Sequence, residues 1–135
     1  LLLLSLAVLA HNSSARKCSL KGPWINDLGS TMNISDVDNN GGFTGTYLTA
    51  VSSSTNEIRE SPLTGTQNNN NNHEPTFGFT VNWRFSESTT VFTGQCFLDK
   101  KGKEVLKTMW LLRSSVDGID DDWKATRVGI NIFTR

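Results

Sequence analysis

Residues 76–86 read Thr-Phe-Gly-Phe-Thr-Val-Asn-Trp-Arg-Phe-Ser, with a large apolar side chain at every second position from 77 to 85. Side chains of an extended strand point alternately to the two faces of the sheet. This stretch therefore predicts a strand with one apolar face and one largely polar face. The residues of the apolar face, which we expect to form the core, are Phe77, Phe79, Val81, Trp83 and Phe85.

Seven other stretches of β-forming residues surround this strand in the sequence, separated by clusters of Gly, Asn, Asp and Pro. The eight predicted strands lie near residues 22–28, 30–35, 42–52, 57–67, 76–86, 90–98, 104–113 and 123–134. Hairpin turns are predicted at Asn39-Asn40-Gly41-Gly42 and Asp99-Lys100-Lys101-Gly102, because Gly and Asn tolerate the positive φ of such turns. Nothing in the sequence predicts a crossover helix, so we expect an antiparallel sandwich or barrel.

The predicted seventh strand carries apolar side chains on both faces, and one face of the predicted eighth strand carries Val128, Ile130 and Ile132. A barrel has a single interior, so apolar residues on its outer face need another surface to cover them. A second copy of the chain is the simplest cover, since identical surfaces pair in homo-oligomers. We therefore expect an oligomer whose interface includes Met109, Leu111, Val128 and Ile130.

The composition fits one β-domain and excludes several classes of partner. Of 135 residues, 13 are basic and 13 acidic, so the formal net charge is zero. Nucleic acids and anionic membranes bind clustered basic surfaces, and this balance predicts neither as a partner. The 13 Asn, 15 Thr and 14 Ser outnumber the five Ala and five Glu, which disfavours an all-helical fold.

The first ten residues form an uncharged apolar run that is too short to span a bilayer and is followed by small polar residues. This run predicts that residues 1–14 are the remnant of a secretory signal peptide that begins upstream of Leu1. Cleavage near Ser14 or Ala15 would leave a mature chain that starts close to Arg16.

Secretion would place the only two cysteines, Cys18 and Cys96, in an oxidising compartment, and their even number predicts one disulfide. Asn33-Ile34-Ser35 is a glycosylation sequon, and Asn12-Ser13-Ser14 is a second one beside the leader. Five consecutive Asn residues, 68–72, predict a low-complexity loop between the fourth and fifth strands.

Two acidic segments match metal-binding loops only in part. Asp36-x-Asp38-x-Asn40-Gly41 has the first half of a calcium loop, but Tyr47 stands where that loop needs a bidentate Glu. This segment and Asp120-Asp121-Asp122 are predicted to be solvated turns, and no metal site is predicted. The sequence also lacks a nucleophile elbow, a zinc-ligand spacing and a phosphate-binding glycine loop, which favours a binding protein over an enzyme.

The domain contains four tryptophans, Trp24, Trp83, Trp110 and Trp123, and all of them could simply fill a core. Three of them, however, share predicted strand faces with uncharged hydrogen-bonding side chains. Polar groups in an aromatic interior are unfavourable without partners, and a small ligand with a neutral polar head would supply them. These polar residues are Asn26, Ser88, Thr90 and Asn131.

Four segments resemble the avidin family of biotin-binding egg proteins: Trp24-Ile25-Asn26-Asp27-Leu28-Gly29-Ser30, Gly45-Thr46-Tyr47, Gly78-Phe79-Thr80-Val81-Asn82-Trp83 and Trp110-Leu111-Leu112-Arg113. The resemblance covers residues 15–135 and implies an all-β, eight-stranded antiparallel up-and-down barrel that forms a homotetramer. It also implies a secreted, non-catalytic protein that binds biotin tightly and sequesters it, for an antimicrobial or egg-storage role, with no cofactor. The alternative is a lipocalin-like carrier of another small ligand with a neutral head.

The resemblance also implies a role for each residue of a biotin site. The donors to the ureido oxygen would be Asn26, Ser30 and Tyr47. The acceptors from the ureido N–H groups would be Thr49 and Asn131, and Thr90 would lie against the thioether sulfur. The side chains enclosing the rings and the aliphatic tail would be Trp83, Phe85, Phe92, Trp110 and Leu112.

The tail carboxylate would meet the serines of two loops, Ser52, Ser53, Ser54, Ser86 and Ser88. The family pattern has Thr-Ala-Thr where this chain has Ser52-Ser53-Ser54, and we expect that difference to affect the dissociation rate of the ligand. Trp123 would reach into the site of a neighbouring subunit and cap it.

Overall fold

The computed structural model describes residues 16–70 and 73–135, and within them the chain forms eight strands and one short 3-10 helix. The strands are β1 (Gly22–Asn26), β2 (Thr31–Ile34), β3 (Gly42–Leu48), β4 (Ser61–Gln67), β5 (Thr76–Asn82), β6 (Ser88–Leu98), β7 (Glu104–Ser114) and β8 (Thr126–Thr134). The 3-10 helix, Ile119–Lys124, lies between β7 and β8. Each strand pairs antiparallel with its sequence neighbours, and β8 pairs with β1. The predicted eight-stranded up-and-down barrel is confirmed.

The observed strands are shorter than predicted at one end of the barrel. β3 ends at Leu48, β4 begins at Ser61 and β5 ends at Asn82, although β-forming residues continue beyond these points. The backbone there leaves the sheet because its amides pair with side chains, as when Arg84 N donates to Ser61 Oγ at 3.0 Å. The predicted eighth strand is wrong at its start, because Trp123 lies in the 3-10 helix and β8 begins three residues later.

The interior follows the predicted alternation. All five residues of the apolar face of 77–85 are buried, including Trp83 and Phe85 beyond the end of β5. Phe79 stacks on Phe92 with ring centroids 4.7 Å apart, and Tyr47 lies 5.6 Å from the same ring of Phe92. These aromatic contacts join β3, β5 and β6 across the barrel and form the centre of the core.

The segment that precedes β1 covers one end of the barrel. The predicted disulfide between Cys18 and Cys96 is confirmed, and Leu20 is fully buried. The Cys18 N–H donates to the His73 carbonyl at 2.8 Å, which ties this segment to the loop before β5. The guanidinium of Arg135 lies 3.8 Å from the ring centroid of Trp24 and closes the same end. The polar cavity described below lies at the opposite end.

Both predicted hairpin turns are confirmed, and they share one hydrogen-bonding scheme. Asp38 Oδ1 accepts from the N–H groups of Asn40 and Gly42, and Asp99 Oδ1 accepts from those of Lys101 and Lys103. Gly41 and Gly102 adopt the positive φ that such turns require. The acidic segment 36–41 is therefore a turn, and the carboxylate of Asp38 is engaged by backbone amides.

The outer faces of β7 and β8 expose the apolar side chains that the sequence predicts to be an interface. Val128 is 64% exposed and Ile130 is 65% exposed, and each pairs across the ladder with Leu111 or Met109, both also exposed. The predicted leader 1–14, the sequon at Asn12 and residues 71–72 of the Asn run lie outside the described residues. Among the described residues, no helix has the length and apolar character needed to cross a membrane.

Candidate ligand-binding site

A cavity of about 420 Å³ lies at the end of the barrel opposite the disulfide, where the β3–β4, β5–β6 and β7–β8 connections meet. Its volume is in the range of small-molecule sites. The structure brings together around this cavity all sixteen residues that the sequence analysis places in a ligand site: Asn26, Ser30, Tyr47, Thr49, Ser52, Ser53, Ser54, Trp83, Phe85, Ser86, Ser88, Thr90, Phe92, Trp110, Leu112 and Asn131. Trp123 does not line the cavity of its own chain and is 82% exposed.

Six further residues line the cavity and were not predicted: Leu28, Val51, Asn56, Glu87, Ser114 and Ser115. Ser114 continues the inward alternation of Trp110 and Leu112 along β7, so the strand period could have identified it. The others lie in turns and loops, where no period indicates the direction of a side chain. Glu87, which is exposed, is the only charged residue among the described residues of the lining.

Three hydrogen-bond donors lie on one side of the cavity. Asn26 Oδ1 accepts from the N–H groups of Leu28 and Ser30 at 2.9 Å each, which leaves Asn26 Nδ2 as a donor. That Nδ2 donates to Tyr47 Oη at 3.3 Å, so the Tyr47 hydroxyl keeps its own proton for a ligand. Ser30 Oγ accepts from Ala50 N at 2.9 Å, and its own proton has only a long contact, 3.5 Å to Thr49 Oγ1.

Two acceptors complement these donors. Thr49 Oγ1 donates to the Val51 carbonyl at 2.7 Å and accepts from the Val51 N–H at 3.3 Å, so its oxygen has a second lone pair to offer to a ligand. Asn131 Nδ2 donates to Asp27 Oδ1 at 3.0 Å, which leaves Asn131 Oδ1 as an acceptor. The cavity therefore suits a planar head with one strong acceptor atom flanked by two N–H donors.

Aromatic rings enclose the rest of the cavity. Trp83 Nε1 donates to Thr90 Oγ1 at 2.8 Å, which fixes the indole and leaves the Thr90 hydroxyl proton for a weak acceptor. The ring of Tyr47 meets that of Trp83 edge to face, with centroids 5.4 Å apart. Trp110 lies directly over the backbone of Gly129 on β8. These walls favour a flat ligand with an apolar body.

The rim of the cavity carries hydroxyl groups from three loops. Ser86 Oγ and Ser88 Oγ are in hydrogen-bond contact. Asn56 Nδ2 donates to the Phe85 carbonyl at 2.9 Å, and Ser54 Oγ donates to the same carbonyl at 3.4 Å. The loop after β3 is therefore fastened to the loop after β5, and it presents neutral donors and acceptors at the entrance.

Burial raises the pKa of Tyr47 above its ordinary value, although hydrogen bonds from Ser30 and Asn26 partly oppose the change. The Tyr47 hydroxyl is therefore protonated and able to donate throughout the physiological pH range. The pKa of Asp27 is lowered, chiefly by the hydrogen bond from Asn131 and next by that from the Ile132 N–H. Asp27 is thus ionised at neutral pH and acts only as an acceptor.

Comparison with known proteins agrees with the fold. The profile described as the Avidin family matches residues 14–135. The chain is 74% identical to Avidin from Gallus gallus over 136 residues, covering all of this chain and 90% of that protein.

Two solved structures are similar in both sequence and shape. The crystal structure of Xenavidin superimposes with a TM-score of 0.85 and 58% identity, covering 89% of this chain and 99% of that one. The X-ray structure of a biotin binding protein from chicken gives a TM-score of 0.86 and 55% identity, with the same coverage of the two chains. The chain belongs to the avidin family.

Proposed function

We propose that this protein is a secreted, non-catalytic protein that binds biotin tightly and sequesters it. A solved structure at 55% identity is that of a biotin binding protein from chicken, and one relative, at 74% identity, is Avidin from Gallus gallus. Such a protein would have an antimicrobial or egg-storage role, because a protein that binds a vitamin tightly withholds it from other organisms.

The pattern of donors and acceptors in the cavity carries the proposal. The ureido ring of biotin has one carbonyl oxygen flanked by two N–H groups. Asn26 Nδ2 and the Tyr47 hydroxyl each have a proton that the protein does not use, and the Ser30 hydroxyl would turn from its 3.5 Å contact with Thr49 Oγ1. Together these three donors would bind the ureido oxygen. Asn131 Oδ1 and the second lone pair of Thr49 Oγ1 are the acceptors that would bind the two N–H groups. A neutral head bound by five neutral groups avoids the desolvation of a buried charge.

The remaining lining suits the other parts of biotin. The Thr90 hydroxyl would lie against the thioether sulfur, while Trp83 and Trp110 would contact the fused rings. The serines of the rim would bind the tail carboxylate through hydroxyl groups. Trp123 would enter the cavity of a neighbouring subunit, a role that its exposure on the 3-10 helix permits.

We propose further that the protein is a homotetramer and a glycoprotein. The exposed apolar faces of β7 and β8 would provide the contacts between subunits. Asn33 is exposed on the outer face of β2, where a glycan would not enter the cavity. The disulfide is consistent with an oxidising compartment outside the cell.

Titration of tryptophan fluorescence with biotin tests the proposal. We expect quenching that saturates at one biotin per chain, because two indoles line the cavity. Trp110→Phe should weaken binding about tenfold or more, since a tryptophan at the centre of a site commonly dominates affinity. Trp24→Phe is the matched control, because Trp24 is buried at the other end of the barrel and should leave affinity unchanged. Folded protein that shows neither quenching nor heat on addition of biotin would refute the proposal.

A further inference from the structure

Asp27 lies outside the cavity, in the turn between β1 and β2, yet its carboxylate contacts a cavity residue on the last strand. Asp27 Oδ1 accepts from Asn131 Nδ2 at 3.0 Å and from the Ile132 N–H at 3.1 Å. The backbone N–H of Asp27 donates in turn to the Ile132 carbonyl at 3.2 Å. The turn and β8 are thus joined at the point where Asn131 enters the cavity.

Asn131 is 5% exposed, and its backbone carbonyl accepts from Thr108 Oγ1 at 2.8 Å. Its side-chain amide has an oxygen and an NH₂ group of nearly the same shape, so packing alone does not decide which of them meets a ligand. An ionised carboxylate only accepts hydrogen bonds. Asp27 therefore holds the NH₂ group of Asn131 and leaves the oxygen for the cavity.

We propose that Asp27 is a positioning residue that fixes Asn131 as an acceptor and so selects ligands that present an N–H at that position. Without Asp27 the amide can turn and place its NH₂ group against the ligand N–H, where two donors meet and a hydrogen bond is lost. This inference rests on the proposed function only for the identity of the ligand. The orientation of the amide is a property of the free protein.

A double-mutant cycle on the dissociation rate of biotin tests the proposal. We expect Asp27→Ala to speed dissociation about tenfold, the equivalent of one buried hydrogen bond. In the Asn131→Ala background the same change should have almost no effect, because Asp27 acts through that amide. Asp27→Asn should recover part of the loss, since its amide oxygen can still accept from Asn131.

Asp38→Ala is the matched control. Asp38 also accepts two backbone N–H groups in a turn, but at the far end of the barrel, and its loss should not change dissociation. An equal acceleration by Asp27→Ala in both backgrounds would mean a merely structural role and would overturn the proposal.

Amide NMR of the free protein separates this inference from the proposed function. The side-chain NH₂ of Asn131, assigned by its absence in Asn131→Ala, should be protected from hydrogen exchange and should lose that protection in Asp27→Ala. Protection that survives in Asp27→Ala contradicts the inference whatever the protein binds. Loss of protection together with no affinity for biotin would sustain the inference and refute the proposed function.

Discussion

Tyr47 is the only tyrosine of the chain, and it is buried among aromatic rings with its hydroxyl at the donor side of the cavity. Burial raises its pKa above the ordinary value near 10. The free energy of unfolding is therefore higher with the Tyr47 hydroxyl protonated than with it ionised, and the difference is a contribution to stability. That contribution is complete below pH 10 and is lost as the pH rises through the higher pKa of the folded state.

Ultraviolet absorbance of tyrosinate reports this residue alone. We expect a titration midpoint well above pH 10 in the folded protein and a midpoint near 10 in urea. Biotin should move the folded midpoint higher still, because the proposed bond to the ureido oxygen needs the proton. A folded-state midpoint near 10 would show that Tyr47 is in contact with water.

Gly129 permits the position of Trp110. A Cβ atom on Gly129 would lie 2.2 Å from Cζ2 of Trp110, so any side chain there must displace the indole from the cavity wall. We expect Gly129→Ala to weaken biotin binding about tenfold, since overpacking of this kind forces side chains from their preferred positions. The measurement is the affinity from fluorescence titration.

Gly118→Ala is the matched control for this change. A Cβ atom on Gly118 would have no neighbour within 4 Å, and affinity should not change. Equal effects of the two substitutions would show that Trp110 is not held by Gly129.

At the scale of elements, the segment before β1 is held to the barrel by one covalent bond and a few hydrogen bonds. The disulfide closes a loop between residues 78 apart in sequence. By the chain-entropy model, Cys18→Ala with Cys96→Ala should lower the free energy of unfolding by about 4 kcal/mol. Urea denaturation followed by tryptophan fluorescence measures this.

The same double variant should bind biotin with the wild-type stoichiometry, because the disulfide and the cavity lie at opposite ends of the barrel. Loss of binding in a variant that is still folded would show that the two ends are coupled.

At the scale of the whole molecule, the unpaired apolar faces of β7 and β8 determine the expected assembly. Val128→Arg with Ile130→Arg places two charges in the proposed interface, and we expect the protein to become monomeric at micromolar concentration. Light scattering coupled to size exclusion measures the mass. Biotin should also dissociate about tenfold faster or more, since a monomer lacks the proposed cap from a neighbouring Trp123.

Leu48→Arg is the control, because Leu48 is an exposed apolar residue on β3, away from these faces. It should leave the mass unchanged. A wild-type protein that is itself a stable monomer would rule out the proposed tetramer.

The direction of side chains could be predicted from the sequence in the strands but not in the loops. Alternation along residues 77–85 correctly identified the buried row, because the period of two holds for any extended strand whatever its partners. The loop residues Val51 and Asn56 were missed because side-chain direction in a loop depends on which distant segment it contacts. Asn56, for example, is fixed by the carbonyl of Phe85.

The sequence by itself determined the eight strands apart from some of their ends, their inner and outer faces and both hairpin turns, because these depend on residues close together in the chain. The resemblance to the family added two expectations: that the barrel closes, and which residues line the cavity. Only the tertiary structure decided which polar atoms remain free for a ligand. Asn131 offers its oxygen because Asp27, 104 residues away in sequence, takes its NH₂ group, and that contact exists only once β8 has paired with β1.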